Sequence, residues 1–427
     1  MKTTLTKSLM ATAVLGACAC VHAEDSYLEV YGILDAGVAS VAHSLPASST
    51  FPSSINPLQT SGMDSHYANR QTAMVNGGMQ FSRWGIKGAE DMGQGRKAFF
   101  VLESAINLPT GTLSNASTSI ANNSSAGGNT YSESYGNSSL NGQLFARQAY
   151  VGVSEPDWGT IMFGRNYTQI YDVMSGYDPV FKSDIMSPIG LSGTLGGGGG
   201  VSESTRVDSS VKYKNQFGPV NVGVFYRIAS NDGTEAGSGY GVNLGYESGA
   251  FGVQGVYQAF KNAGALGVSS ASATPTVKLY DTEAWLLAGK YKIGAGTVKM
   301  GVERYTLKAP TATGATFNYF GDTSYTVAAG TDVNQNVNVY FAGGDYNFSP
   351  AFNVAVGAYD IHYYSYAGAS AKDPGDIRWY SLIGDYRFSK RTDLYSGLVY
   401  IDYSGDKYAS AAYKANSLGM VGIRHKF

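Results

Sequence analysis

A chain of 427 residues with 30 Lys+Arg against 32 Asp+Glu, a net charge of −2, carries no basic excess that would point to nucleic acid. Its two cysteines, Cys18 and Cys20, fall before residue 21, which excludes a disulfide scaffold or a thiolate metal site in the remainder. Glycine (55) far exceeds proline (12), and 32 tyrosines against 18 phenylalanines favour rings with a polar tip, suited to a boundary between hydrocarbon and water.

Residues 1–23 read as a signal peptide. Lys2 and Lys7 give the positive start, Leu9 to Ala17 is a short apolar run, and Val21-His22-Ala23 is a small-residue cleavage site, so the mature chain starts at Glu24. The run is too short to span a bilayer. Leu15-Gly16-Ala17-Cys18 also fits a lipoprotein signal with Cys18 as the anchor. Losing Lys2 and Lys7 leaves 28 Lys+Arg against 32 Asp+Glu, a charge of about −4. A mature chain without thiols suits an oxidising compartment.

A strand is expected over Tyr27 to Ala39, with Leu28, Val30, Leu34 and Val38 on one face and Glu29, Tyr31 and Asp35 on the other. A polar segment, 40–73, follows. Ser82 to Ser104 then reads as a hairpin about Asp91-Met92-Gly93. Trp84, Ile86, Ala98, Phe100 and Leu102 form its apolar face, and Arg83, Lys87, Lys97 and Glu103 its charged face. Arg83 and Glu103 lie almost equally far from the turn, so they are expected at similar height. A second long polar segment, 105–141, leads into a strand over Leu144 to Val153.

From there short turns alternate with longer polar segments. The remaining short turns centre on Glu155-Pro156-Asp157, Gln216-Phe217-Gly218, Glu247-Ser248-Gly249, Gly294-Ala295-Gly296, Ser349-Pro350-Ala351 and Ser389-Lys390-Arg391. The rhythm predicts sixteen antiparallel strands in an up-and-down barrel, apolar outside and polar within, short turns on one rim and long loops on the other. No apolar run after residue 23 approaches the ~18 residues of a membrane helix. Length alone suggests two or three soluble domains, but no linker or composition shift divides the chain. A soluble all-β protein would also alternate, though sixteen strands would then form several sandwiches. Gly419, Val421, Ile423, His425 and Phe427 alternate to the last residue; in water such a terminus is a sticky edge, whereas in a barrel it closes on the first strand.

The segments LEVYGILDAGV (28–38), SRWGIKGAEDMGQGRKAFFVLES (82–104), RQAYVGVSEPDWGTIMFGRN (147–166), VDSSVKYKNQFGPVNVGVFY (207–226), SKRTDLYSGLVYIDYS (389–404) and VGIRHKF (421–427) resemble the trimeric sixteen-stranded general porins of Gram-negative outer membranes, in their β-proteobacterial branch. Roughly 260–345 resembles the family in rhythm only. The resemblance implies all-β architecture, an outer-membrane location and a homotrimer of independent water-filled channels. It also implies passage of ions and small polar solutes, and a third loop (166–205) folded inward to narrow the pore. It implies basic wall residues, matched here by Arg83, Arg147 and Arg206, with Glu103 beside them, opposite acids on that loop.

The residues support the same placement. Arg83 lies opposite Trp84 and Ile86, Arg147 takes the opposite parity from Leu144 and Tyr150, Lys87 shares the charged face, and Arg165 shares parity with Ile161 and Phe163 but nears the loop. The loop offers Asp172, Asp178, Asp184 and Glu203 as acids, Lys182 as a base, and a pliable Gly196–Gly200. Always-charged guanidiniums across a narrow, low-dielectric passage predict a weak anion preference. Phe427 resembles the signal read by the barrel-assembly machinery, and lipid and lipopolysaccharide would surround the wall.

Three other classes remain open. A substrate-specific channel for sugar, phosphate or carboxylate would use Tyr167, Tyr171, Tyr177 and Phe181 as a track, although such rings also pin loops by packing. An adhesive or structural barrel would use the two long polar segments. An outer-membrane hydrolase needs a histidine with a partner, and His43, His66, His362 and His425 lie in no recognisable partner motif. No metal spacing, phosphate loop or cofactor is expected: no Lys-Ser/Thr follows Gly200, and the sequons at Asn122 to Ser125 are set aside for a bacterial-looking secretory chain.

Overall fold

The structure, a computed structural model, describes residues 26–43, 70–113, 144–145, 147–189, 206–228, 238–269, 276–308, 316–318, 324–327, 335–364, 374–405 and 415–427. The expected signal peptide with Cys18 and Cys20, His66, the sequons, Gly196–Gly200, Glu203 and most of the two long polar segments lie outside the described residues.

Alternating β-branched, aromatic and polar residues form the strands β1 (Tyr27–His43), β2 (Arg70–Asn76), β3 (Arg83–Gly93), β4 (Arg96–Asn107), β5 (Thr112–Leu113), β6 (Gln148–Glu155), β7 (Gly159–Tyr167), β8 (Arg206–Phe217), β9 (Val220–Arg227) and β10 (Gly239–Ser248). They continue with β11 (Phe251–Ser269), β12 (Thr276–Ile293), β13 (Gly296–Lys308), β14 (Thr316–Asn318), β15 (Ser324–Val327), β16 (Gln335–Asn347), β17 (Phe352–Tyr363), β18 (Gly375–Arg387), β19 (Thr392–Ser404) and β20 (Ala415–Lys426). β5, β14 and β15 are short additions at the long-loop rim, and β2 and β3 both pair with β1 as two pieces of one stave. That leaves sixteen staves, each antiparallel to its neighbours. β20 pairs with β1 from Ile33↔Lys426 to His43↔Asn416, so the sheet closes and keeps no edge.

All seven short connections lie on one rim. The first is Gln94-Gly95, two residues beyond the expected centre, because a bulge between Asp91 and Gly93 prolongs the hairpin. Gly294 opens its two-residue turn at φ +58°, where a Cβ would be strained. At the closure seam Phe427 N–H donates to Gly32 O and Gly32 N–H to Phe427 O, both at 3.1 Å. The Phe427 ring lies over Gly32, where a Cβ would meet Cζ at 2.4 Å.

Leu28, Val30 and Val38 face outward at 65, 61 and 46% exposure, while Asp35 is fully buried within, as the alternation requires. β1 runs on to His43, past the expected Ala39. Residues 77–82 leave the ladder between β2 and β3 and fold inward. The Asp35 carboxylate holds them, accepting from Gly78, Met79 and Gln80 N–H at 3.2, 3.1 and 2.8 Å and from Tyr395 OH at 2.5 Å. The polar-lumen expectation fails over the later staves. Their inner faces also carry apolar residues, among them Tyr305, Phe341, Tyr359, Trp379, Tyr395 and Met420, all buried in one cluster. What covers that cluster is the segment after β7.

Candidate functional site

β7 ends at Tyr167, and Thr168 caps a helix, α1 (Gln169–Tyr177), its Oγ1 accepting from Tyr171 N–H at 3.4 Å. Asp172 in the first turn suits the positive helix end, and Pro179 behind the C-cap Asp178 stops propagation. Ile170, Val173, Met174 and Tyr177 form the apolar stripe. With Val180, Ile185, Met186 and Ile189 from the following turns, they pack on the apolar inner wall. The segment therefore lies across the bore.

Polar pins fix it there. Asp178 is fully buried and accepts from Tyr359 OH at 2.6 Å, Lys182 N–H at 2.6 Å and Ser187 Oγ at 3.1 Å. Lys299 Nζ donates to its carbonyl at 3.0 Å. Burial pushes the Asp178 carboxyl above the usual range, against these donors and the Lys299 charge. Trp379 Nε1 donates to Met186 O at 3.2 Å, and Ser381 Oγ donates to the same oxygen.

Facing the segment stands the basic wall. Glu103 is 4% exposed and lies between two guanidiniums, Arg147 Nε at 2.7 Å and Arg83 Nε at 3.6 Å. Tyr31 OH and Tyr167 OH also donate to it, at 3.0 and 3.3 Å. Arg147 Nη2 donates to Tyr167 OH at 2.9 Å. The Tyr167 and Tyr171 rings stack at 4.0 Å, with the Arg206 guanidinium 5.2 and 5.8 Å from their centroids and Lys182 Nζ 3.0 Å from that of Tyr171. Burial alone would raise the Tyr171 phenol, but Lys182, Arg147 and Arg206 pull it down to about 7. Burial lowers the Lys182 ammonium. Asp184, 7% exposed, is raised by burial to about 8 despite Lys182, Arg147 and Arg83. Asp172 takes Lys212 Nζ at 2.6 Å and Lys214 Nζ at 2.5 Å, and these cations outweigh burial and lower its carboxyl.

The structure thus brings Glu103, Arg83 and Arg147 together, sets Arg206 beside the adjoining Tyr167 and Tyr171 rings and Asp184 within the field of Lys182, Arg147 and Arg83, and places Asp172 apart with Lys212 and Lys214. Lys87 lies nearer the short turns, 3.1 Å from Glu29 and 5.0 Å from the Tyr31 ring. Asp178 is corrected: it ties the segment to the wall and does not line the passage. The parity argument for Arg147 is corrected too. β6 begins at Gln148, not Leu144, and its outward face is that of Val151, 58% exposed, while Tyr150 pairs with Val101 on the Glu103 side. Arg147 reaches Glu103 because it precedes the strand. Arg165, 5% exposed, sits where β7 bulges between Gly164 and Asn166, on the parity of the outward Phe163. The aromatic residues pin the loop by packing: Tyr177 joins the buried cluster and Phe181 packs against it. His362, which lies in no recognisable partner motif in the sequence, stands 2.5 Å from Asp376 through Nδ1. Among the described residues no group of three or more His, Asp or Glu could hold a metal.

Asp35, Lys212, Lys299 and Tyr359 were missed as site-builders. Alternation places each on an inner face, but their partners stand far away in sequence.

A family model described as Gram-negative porin matches residues 11–406. The chain is 26% identical over 440 residues to an outer membrane porin protein of Bordetella pertussis, covering 99% of this chain and all of that one. Its fold is similar to the anion-selective porin of Comamonas acidovorans, with a TM-score of 0.62, 18% identity and coverage of 94 and 100%. It is similar also to the OmpT outer membrane protein of Vibrio cholerae in its trimer form, with a TM-score of 0.58, 14% identity and coverage of 94 and 99%.

Proposed function

The chain belongs to the Gram-negative porin family and is an outer-membrane channel for passive diffusion; from that premise we propose that segment 166–205 is its constriction and that the constriction favours anions. The observation that carries this reading is the mismatch of charge across the passage. On the wall, Arg83 and Arg147 share one carboxylate, Glu103, within bonding reach, and Arg206 faces the Tyr167 and Tyr171 rings with no carboxylate of its own in an ion pair among the described residues. Opposite them, Asp172 is already matched by two lysines, Asp178 is sealed into its pins, and Asp184 holds its proton below about pH 8. Lys87 is balanced by Glu29 and adds little.

An unmatched unit charge about 7 Å away attracts an anion by about 2 kcal/mol at an effective dielectric near 20. At about 1 M salt the Debye length falls to about 3 Å, so the preference weakens there. The Comamonas acidovorans porin, to which this fold is similar, is anion-selective. Reversal potentials across a bilayer under a tenfold KCl gradient test the proposal. The expected sign is that of anion selectivity, and Arg147→Ala moves the potential toward zero by about 10 mV or more of the ~59 mV ceiling for a univalent ion. A cation-selective potential indifferent to Arg83→Ala and Arg147→Ala would refute the assignment.

The finer points belong to the same proposal. Residues 1–23 are a cleaved signal, and the protein acts as a channel, not an enzyme, with no cofactor. The His362–Asp376 pair lacks a nucleophile contact among the described residues, and hydrolysis of lipid or peptide by purified protein would count against this reading. The barrel assembles as a homotrimer amid lipid and lipopolysaccharide after recognition of Phe427 by the barrel-assembly machinery. Self-association is supported by a 580 Å³ hollow on the outer wall over β17–β20 and β1, where Ser40, Gly384, Ser396 and Gly419 sit among Leu382 and Leu398. Small residues let another backbone come close.

A further inference from the structure

On the short-turn side of α1, the helix and the inner faces of β8–β12 enclose a cavity of 240 Å³. Its lining differs from the arginine cluster, for it exposes charges of both signs and uncharged amides. At one end Lys214 Nζ stands 2.5 Å from Asp172, its side chain 46% exposed. At the other, Glu247 Oε1 accepts from Lys290 Nζ at 3.0 Å and Tyr177 OH at 2.7 Å, with the Glu247 side chain 38% exposed. Asn243 Nδ2 donates to Gln254 Oε1 at 3.2 Å along the floor. Bare backbone makes the room: a Cβ on Gly223 would meet Asn243 Oδ1 at 2.1 Å, and one on Gly245 would meet Gln254 Oε1 at 2.0 Å. Gln169 of α1 lines the cavity at 1% exposure, and its Nε2 donates to no acceptor among the described residues. A buried donor left without an acceptor is unfavourable.

We propose that this chamber is a low-affinity subsite for small zwitterions of the free amino-acid class. The volume equals that of about eight waters at ~30 Å³ each, which suits a solute of roughly that many heavy atoms. The ligand ammonium lies toward Glu247 and its carboxylate, on the same carbon, toward Lys290, while its remaining polar atoms reach the amides of Asn243 and Gln254 and the Lys214 end. A plain anion meets Asp172 and Glu247, and a plain cation meets Lys214 and Lys290; only a solute with both poles matches both members of the Glu247–Lys290 pair. A sugar fits the volume but leaves both charges unanswered. Weak binding suits a conduit, since solute must leave as well as enter.

The inference rests on the channel reading, so conductance without solute is measured first, at about 0.1 M salt where the Debye length is about 10 Å. L-Glutamine is then added from the short-turn side of single channels, with glucose and succinate in parallel. The expected result is a saturable fall in current with glutamine, and a half-blocking concentration raised roughly tenfold or more in Glu247→Gln and in Asn243→Leu, the second filling the chamber. Conductance without any glutamine effect overturns the inference and leaves the channel standing. No conductance overturns both. Block by glucose or succinate in place of glutamine overturns the solute class, and an unchanged half-block in both variants overturns the location.

Discussion

Lys182 Nζ stands 3.0 Å from the centroid of the Tyr171 ring, and Asp184 lies two residues further along the same segment. The phenol is pulled down to about 7 by Lys182, Arg147 and Arg206 in spite of its burial, and the Asp184 carboxyl is pushed up by burial to about 8. Both groups are neutral when protonated and negative when not, so the proposed constriction gains up to two negative charges as pH climbs through these values. Anion preference is therefore expected to be larger at about pH 6 than at about pH 9. Reversal potentials at the two pH values check this, and the dependence should flatten in Tyr171→Phe combined with Asp184→Asn. A preference that grows with pH would sink the assignment. At this scale the hairpin was legible: two strands and one turn fix Arg83 and Glu103, and the structure puts them 3.6 Å apart, two residues off direct register. Asp178 was not legible. Whether a loop acid faces water or a tyrosine hydroxyl depends on Tyr359, 181 residues away.

The segment after β7 works as an element because one of its sides is built like a protein core. Tyr359 OH is one of three donors on the Asp178 carboxylate, so Tyr359→Phe leaves the ring packing in place and removes only the hydroxyl. A hydrogen bond to a buried charged group is worth about 1.5–3 kcal/mol, and its loss should loosen residues 178–187 without unfolding the barrel. The expected signs are faster amide exchange over those residues and noisier open-channel current, with an unchanged strand signal in circular dichroism. Quiet channels with wild-type exchange would remove Asp178 from its role as the pin. Alternation predicts a wet lumen throughout only where it separates apolar from polar residues. In β18 the pattern carries no such contrast: Trp379 faces inward at 4% exposure and Tyr380 outward at 47%. A strand greasy on both faces says that something covers each of them, but not which face meets lipid and which meets a folded loop.

For the whole molecule, closure depends on the seam between β20 and β1. β20 carries Phe427 to Gly32 through two hydrogen bonds of 3.1 Å, and deleting Phe427 removes both along with the ring over that glycine. Inserted trimer should fall on semi-native gels while export continues, and an equal yield would deny the residue an assembly role. The outer wall beside that seam, over β17–β20, is hollowed where Gly384, Ser396 and Gly419 replace large side chains. A hydrocarbon-facing wall gains nothing from such a hollow if only fluid lipid fills it, whereas a second barrel gains close van der Waals packing. Gly419→Leu separates the two cases. A Cβ there would meet Leu398 Cδ2 at 3.5 Å, an ordinary contact, so the barrel itself accepts the side chain. If the hollow seats a neighbouring subunit, the added isobutyl group collides with it, and overpacking of a tight interface costs about 1–3 kcal/mol per site. A threefold assembly would repeat that cost at each contact. The variant should then run as heat-modifiable monomer with wild-type strand content, and its trimer should dissociate at lower temperature. Trimer of wild-type thermal stability in Gly419→Leu would place the subunit contact on another part of the wall.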